Sequence, residues 1–179
     1  MRKQRGLWFV VAVFSFVCRT NAEPLRVVAL ENSVADNGDG SSNLTYTAFS
    51  YPTINRFGQV AFTALAADES LVNRGGVWSE AGGTGLRLTV LDGDAAPGVT
   101  NGIFMNVQDT YALINDSGQT AFRARLVAAP GITSTSNSGI WVASAGQGTT
   151  LVLREGDQAP PNAGAGAVFP AADWADGEP

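Results

Sequence analysis

The chain has 179 residues and a formal net charge of −5, with 45% hydrophobic and only 15% charged residues, a composition large enough for one domain with its own core and too apolar for a disordered chain. Histidine is absent, and the single cysteine (Cys18) and single lysine (Lys3) fall within the first 22 residues. Beyond that point Ser-His-Asp and Cys-His catalysis, lysine Schiff bases and ordinary zinc sites have no residues to use, and no disulfide can form within the chain.

Residues 1–22 read as a Sec-type signal peptide. Arg2, Lys3 and Arg5 form a positive start, Leu7 to Cys18 an apolar stretch, and Thr20-Asn21-Ala22 supplies small residues for cleavage. The apolar stretch is shorter than the ~20 residues of a membrane-spanning helix. The chain is therefore expected outside the cell or on its surface, with no transmembrane segment after cleavage. Loss of Arg2, Lys3, Arg5 and Arg19, with no acid among them, takes the net charge from −5 to −9. Such an acidic surface repels phosphate backbones, which argues against nucleic acid as a partner.

Residues 23–48 form a leading segment. Val28-Ala29-Leu30-Glu31-Asn32 sits where a degenerate copy of a later strand end would fall, so the segment is either the tail of an earlier repeat or a leading edge strand. Within it Asp36-Asn37-Gly38-Asp39-Gly40 is an acidic, Gly-rich loop. Asp36 and Asp39 are the weak calcium candidates, set against a plain solvated loop, since the alternating acids and distal Glu of an EF-hand loop are missing. No other cofactor is expected.

The remainder is an internal repeat. Ile54-Asn55-Arg56-Phe57-Gly58-Gln59-Val60-Ala61-Phe62 reappears as Ile114-Asn115-Asp116-Ser117-Gly118-Gln119-Thr120-Ala121-Phe122. Gly76-Val77-Trp78 reappears as Gly139-Ile140-Trp141, and Gly93-Asp94-Ala95-Ala96-Pro97 as Gly156-Asp157-Gln158-Ala159-Pro160, while Phe104 matches Phe169. Unit 1 is placed at residues 49–105, unit 2 at 106–169, and a tail at 170–179. Each unit reads as four antiparallel strands. Thr53-Ile54 or Ala112 to Ile114 comes first, followed by an Asn-x-x-Gly turn. An alternating strand through Phe62 or Phe122 is next, then one centred on Trp78 or Trp141, and then Leu86 to Leu91 or Thr150 to Arg154. The fold class expected is all-β, in four-stranded antiparallel repeats resembling part of a β-propeller with two units.

Asn-x-x-Gly-x-x-Ala-Phe followed by Gly-Val/Ile-Trp and Gly-Asp-x-Ala-Pro resembles the tandem NxxGxxAF-repeat proteins, exported bacterial proteins that often carry a PEP-CTERM-type or other sorting anchor. The likeness runs from about Phe49 to Phe169 and implies export and a repeat fold, with no activity to transfer. Its motif residues here are Asn55, Gly58, Ala61, Phe62, Trp78, Gly93, Asp94 and Pro97, and in the second unit Asn115, Gly118, Ala121, Phe122, Trp141, Gly156, Asp157 and Pro160. Two units cannot close a ring of four to eight blades. The sequence is thus read as a truncated frame in preference to a protomer of an assembly or a small two-sheet sandwich.

For function, the leading expectation is a non-enzymatic extracellular scaffold whose variable segments, Ala66 to Arg74 and Val127 to Ser138, meet a protein or glycan. A structural surface component is the alternative. A carboxylate-dependent, glycosidase-like enzyme built on Asp94 and Asp157 is a third reading, opposed by their recurrence in each unit, which suits turn-capping better. Trp78 and Trp141 are expected in the core rather than as sugar platforms.

Overall fold

A computed structural model describes residues 26–35, 43–83, 85–160 and 166–169. The proposed signal peptide, Asp36 and Asp39, and the tail from 170 lie outside the described residues. Among them the fold is all-β, with no helix beyond one short 3-10 turn at Val107–Asp109 and none long and apolar enough to cross a membrane.

Two antiparallel sheets carry the chain. The first contains β1 (Thr45–Phe49), β2 (Thr53–Ile54), β3 (Val60–Ala67), β4 (Asn73–Ser79) and β5 (Arg87–Leu91), ordered β1-β3-β4-β5 with β2 also on β3. The second contains β6 (Phe104–Met105), β7 (Ala112–Ile114), β8 (Gln119–Leu126), β9 (Ser138–Ser144) and β10 (Gly148–Arg154), ordered β6-β8-β9-β10 with β7 also on β8. The registers agree position by position. Phe62 lies opposite Trp78 as Phe122 lies opposite Trp141, and Tyr46 opposite Ala66 as Phe104 lies opposite Leu126. This is the propeller-like, two-unit all-β architecture read from the sequence.

The first strand of each unit departs from that reading. It is broken into two pieces, β1 with β2 and β6 with β7, both pairing along one partner. Thr45 to Ala48, assigned to the leading segment, therefore belong to the first sheet. Phe104–Met105, assigned to the end of the first unit, open the second sheet.

Alternation places an aromatic triad on one face of each sheet. In the first, Tyr46 meets Trp78 edge-on at 5.0 Å and Phe62 lies parallel to Trp78 at 6.2 Å; in the second, Phe104 meets Trp141 edge-on at 4.9 Å and Phe122 lies parallel to it at 6.4 Å. Both tryptophans are wholly buried. A glycine makes room for each indole. A Cβ at Gly76 would stand 2.7 Å from the Trp78 ring, and one at Gly139 would stand 2.8 Å from that of Trp141.

The opposite face of the first sheet (Ala61, Val77 and Val90) packs in one cluster with the second sheet's triad residues Phe104, Phe122 and Trp141. The sheets are therefore stacked face to face, and β3 is buried on both sides while β8 is buried only on its aromatic side. Polar links seal the stack. Thr63 Oγ1 donates to Thr110 O at 2.9 Å, Thr53 Oγ1 to Ala112 O at 2.7 Å, and Trp141 Nε1 to Pro97 O at 3.0 Å. Ser79 and Thr120 hydroxyls meet at 2.6 Å.

The stretch Glu31 to Ala35 repeats the Gly-Asp-x-Ala turn. Asn32 N donates to Tyr46 O as Gly93 N does to Phe104 O and Gly156 N to Phe169 O; Ala35, Ala96 and Ala159 donate in the same sense to Leu44, Gly102 and Ala167. Asn32 takes the left-handed φ of 63° that Gly93 and Gly156 take at 95° and 79°. The turn geometry of the repeats thus recurs once ahead of the first sheet.

The variable segments are shorter as loops than expected. Ala66 and Ala67 pair with Arg74 and Asn73 in the sheet, which leaves residues 68–72 as the loop. In the second segment Ile132 is buried in the inter-sheet core, so residues 127–137 are anchored rather than freely presented.

Replacing Trp141 with Ala should cost about 3–5 kcal/mol in denaturant unfolding. Gly139→Ala, which drives a methyl against that ring, should cost about 1–3 kcal/mol. A loss below about 0.5 kcal/mol for either would contradict the packing described.

Candidate functional site

The repeated polar residues are engaged in turns. Asn55 Oδ1 accepts from Phe57 N and Gln59 N, both at 3.0 Å, and Asn115 Oδ1 accepts from Ser117 N at 3.0 Å and Gln119 N at 2.9 Å. Each Asn Nδ2 donates to the glutamine four residues on, at 2.7 and 2.8 Å. Gly58 and Gly118 close these turns at φ 75° and 70°. Asn55 Nδ2 also donates to Asn115 O at 3.0 Å, which ties one turn to the next across the stack. Ala61 faces away from its triad and packs against the second sheet, where its small size lets the two sheets approach, while Ala121 lies on the less buried side of β8.

Asp94 caps its turn, its Oδ2 accepting from Leu91 N at 2.9 Å and its main-chain O from Phe104 N at 2.9 Å. Asp157 repeats the main-chain bond with Phe169 N at 2.9 Å, and its carboxylate lies 3.5 Å from Arg154 Nε. Pro97 and Pro160 end the pairing. Asp92, not singled out in the sequence, bridges two elements, with Oδ2 accepting from Gly75 N at 2.9 Å and Oδ1 from Val107 N at 3.0 Å. The signal for it was present, since Glu155 holds the same place before the second Gly-Asp. Among the described residues no three His, Cys, Asp or Glu side chains gather as a metal-binding group.

One ion pair is particular to the first sheet. Glu80 is buried beyond the end of β4, and Arg26 grips both its oxygens at 2.6 and 2.5 Å while also donating to Gly58 O at 3.0 Å. Glu80 Oε2 accepts from Val60 N at 2.9 Å as well. Hydrogen bonding to Arg26 holds the Glu80 carboxyl below its ordinary 4.5, against the opposing effect of burial.

Among the exposed aromatics, two tyrosines recur at equivalent positions. Tyr51 and Tyr111 occupy equivalent positions just before β2 and β7, are 70% and 59% exposed, and stack on each other at 5.4 Å with planes 27° apart. Beside them a shallow depression of about 260 Å³ is lined by Phe49, Ser50, Leu65, Asp109 and Thr110. Two exposed rings beside a carboxylate and hydroxyls have the makeup of a sugar-binding platform: an outer ring face for the apolar side of a pyranose, oxygens for its hydroxyls. The sequence reading considered the tryptophans for this role; they are buried, and the tyrosines were not singled out.

A family profile described as a family of unknown function matches residues 13–174. No curated protein and no solved structure matches the chain.

Because the folded-state pKa of Glu80 is depressed, its ion pair contributes stability above pH 4.5 and loses it as the pH falls through the lowered value. Glu80→Gln should therefore destabilise the chain at neutral pH and flatten the acid limb of the stability curve. A mutant as acid-sensitive as the parent would contradict this.

Proposed function

The chain belongs to this family of unknown function (DUF7453), and we propose that it is an exported, non-enzymatic β-repeat scaffold that binds an extracellular glycan through the Tyr51–Tyr111 platform. The observation that carries the reading is the exposure of two stacked rings from equivalent positions while the Phe and Trp residues of the two triads are buried. Two adjacent exposed rings offer a ligand a contiguous apolar area that singly scattered side chains do not. The positive, short-apolar leader supports export, and the Asn-x-x-Gly-x-x-Ala-Phe turns support kinship with the NxxGxxAF-repeat proteins.

The engagement of Asp94 with Leu91 N weighs against the hydrolase reading. A structural surface component remains the second reading, favoured by how fully the repeated residues are spent on stacking.

Binding to a panel of immobilised polysaccharides tests the proposal. The parent chain should be retained by at least one of them. Tyr51→Ala and Tyr111→Ala should each weaken retention by about tenfold, the loss of ~1–1.5 kcal/mol of ring contact, with melting temperatures little changed because both rings are exposed. Equal retention of parent and both variants would refute the platform. Retention lost only in Asp94→Asn, together with turnover of the polysaccharide, would favour the hydrolase.

A further inference from the structure

Tyr51 and Tyr111 are exposed, so little packing holds their rings, and the placement of the two main chains decides whether they meet. Each tyrosine stands at the break in its unit's first strand. Phe49 pairs with Ala64 and Thr53 with Ala61, so the chain between them carries one residue more than β3 does and bulges at Tyr51-Pro52. Tyr111 directly precedes β7, beyond the 3-10 turn that separates it from β6. A bulge interrupts the ladder of its sheet, so the residues in it need other anchors.

Two threonines of the first sheet supply them. Thr63 Oγ1 donates to Thr110 O at 2.9 Å and Thr53 Oγ1 to Ala112 O at 2.7 Å, so the residues on either side of Tyr111 are both held by first-sheet hydroxyls. The same threonines hold the chain around Tyr51. Ser50 N donates to Thr63 O at 2.9 Å, and Thr53 follows Tyr51 with only Pro52, fixed in φ, between them. Thr63 is wholly buried, and through its carbonyl and its hydroxyl it joins Ser50 to Thr110. These hydroxyls are particular to the seam where the tyrosines meet. By register, the places of Thr53 and Thr63 are taken in the second sheet by Leu113 and Arg123.

We infer that Thr63 and Thr53 are positioning residues for the Tyr51–Tyr111 pair. Their hydroxyls set how far one tyrosine-bearing segment stands from the other, and so hold the two rings stacked before any ligand arrives. Rings already in place lose little freedom when a sugar binds, which favours affinity. The consequence for binding rests on the platform reading above; the ring geometry stands apart from it.

Nuclear Overhauser contacts between the Tyr51 and Tyr111 ring protons, read without ligand, test the inference. The parent should show them. Thr63→Val with Thr53→Val keeps the shape of both side chains, drops both donors and should lose the contacts. Thr63→Ser keeps the hydroxyl and should keep them. Thr120→Val breaks the hydroxyl pair with Ser79, an inter-sheet link that bonds neither neighbour of Tyr111, and should leave the ring contacts intact. On the polysaccharide panel the double valine variant should lose about tenfold in retention, as Tyr111→Ala does, while Thr63→Ser matches the parent. Ring contacts absent from the parent, persisting in the double variant, missing from Thr63→Ser or lost equally in Thr120→Val would each overturn the inference. A parent retained by no polysaccharide would sink the platform reading alone, and the ring contacts would still decide this one.

Discussion

The structure depends on the contact between the second sheet's aromatic triad and the small-residue face of the first. Phe104, Phe122 and Trp141 need a flat, close neighbour to leave water, and Ala61, Val77 and Val90 provide one. Burying a ring of this size is worth roughly 2–3 kcal/mol from area alone, so three together outweigh any single turn or ion pair. With a single cysteine the chain can form no disulfide within itself, and it has few charges to pair, which leaves this stacking as the main source of cohesion. The small hydrogen bonds along it, from Thr53, Thr63 and Asn55, fix the register of one sheet on the other without adding much energy of their own.

Much of this was legible in the sequence because the constraint acts on single side chains. A triad position needs Phe or Trp, the opposing face needs Ala, and the turns need Asn and Gly at fixed offsets. Selection on those positions leaves a pattern with a period near 60 residues, and the registers follow it. The broken first strands were not legible. β6 is two residues long and β1 pairs with a register shift, so neither shows the period-two alternation that announces a strand. Tyr46 standing in for Phe104 hides the correspondence further. The turn at Glu31 to Ala35 was readable only as a faint copy, since Asn32 and Ser33 replace Gly and Asp, yet Asn tolerates the left-handed conformation well enough to keep the geometry.

The candidate site was less legible than the fold. Sequence reasoning weighed the tryptophans as sugar platforms and the recurring aspartates as acids because those residue types carry such chemistry elsewhere. Their very recurrence marks them as structural, and the structure spends Trp141 and Asp94 on packing and capping. Tyr51 and Tyr111 recur too, but just ahead of the short strands at the edge of each sheet, where no neighbouring sheet covers them. Whether a repeated aromatic faces the stack or the solvent depends on which side of a broken strand it falls, and that is a tertiary fact.

Face-to-face stacking makes the two sheets one cooperative unit, and native-state hydrogen exchange reads this directly. The amides of β3 and β8 should exchange with a common opening free energy, and Val77→Lys, which alters only the first sheet's inner face, should lower both together. If β8 kept its protection while β3 lost it, the sheets would be independent, and the stacking contact would not be what holds the chain together.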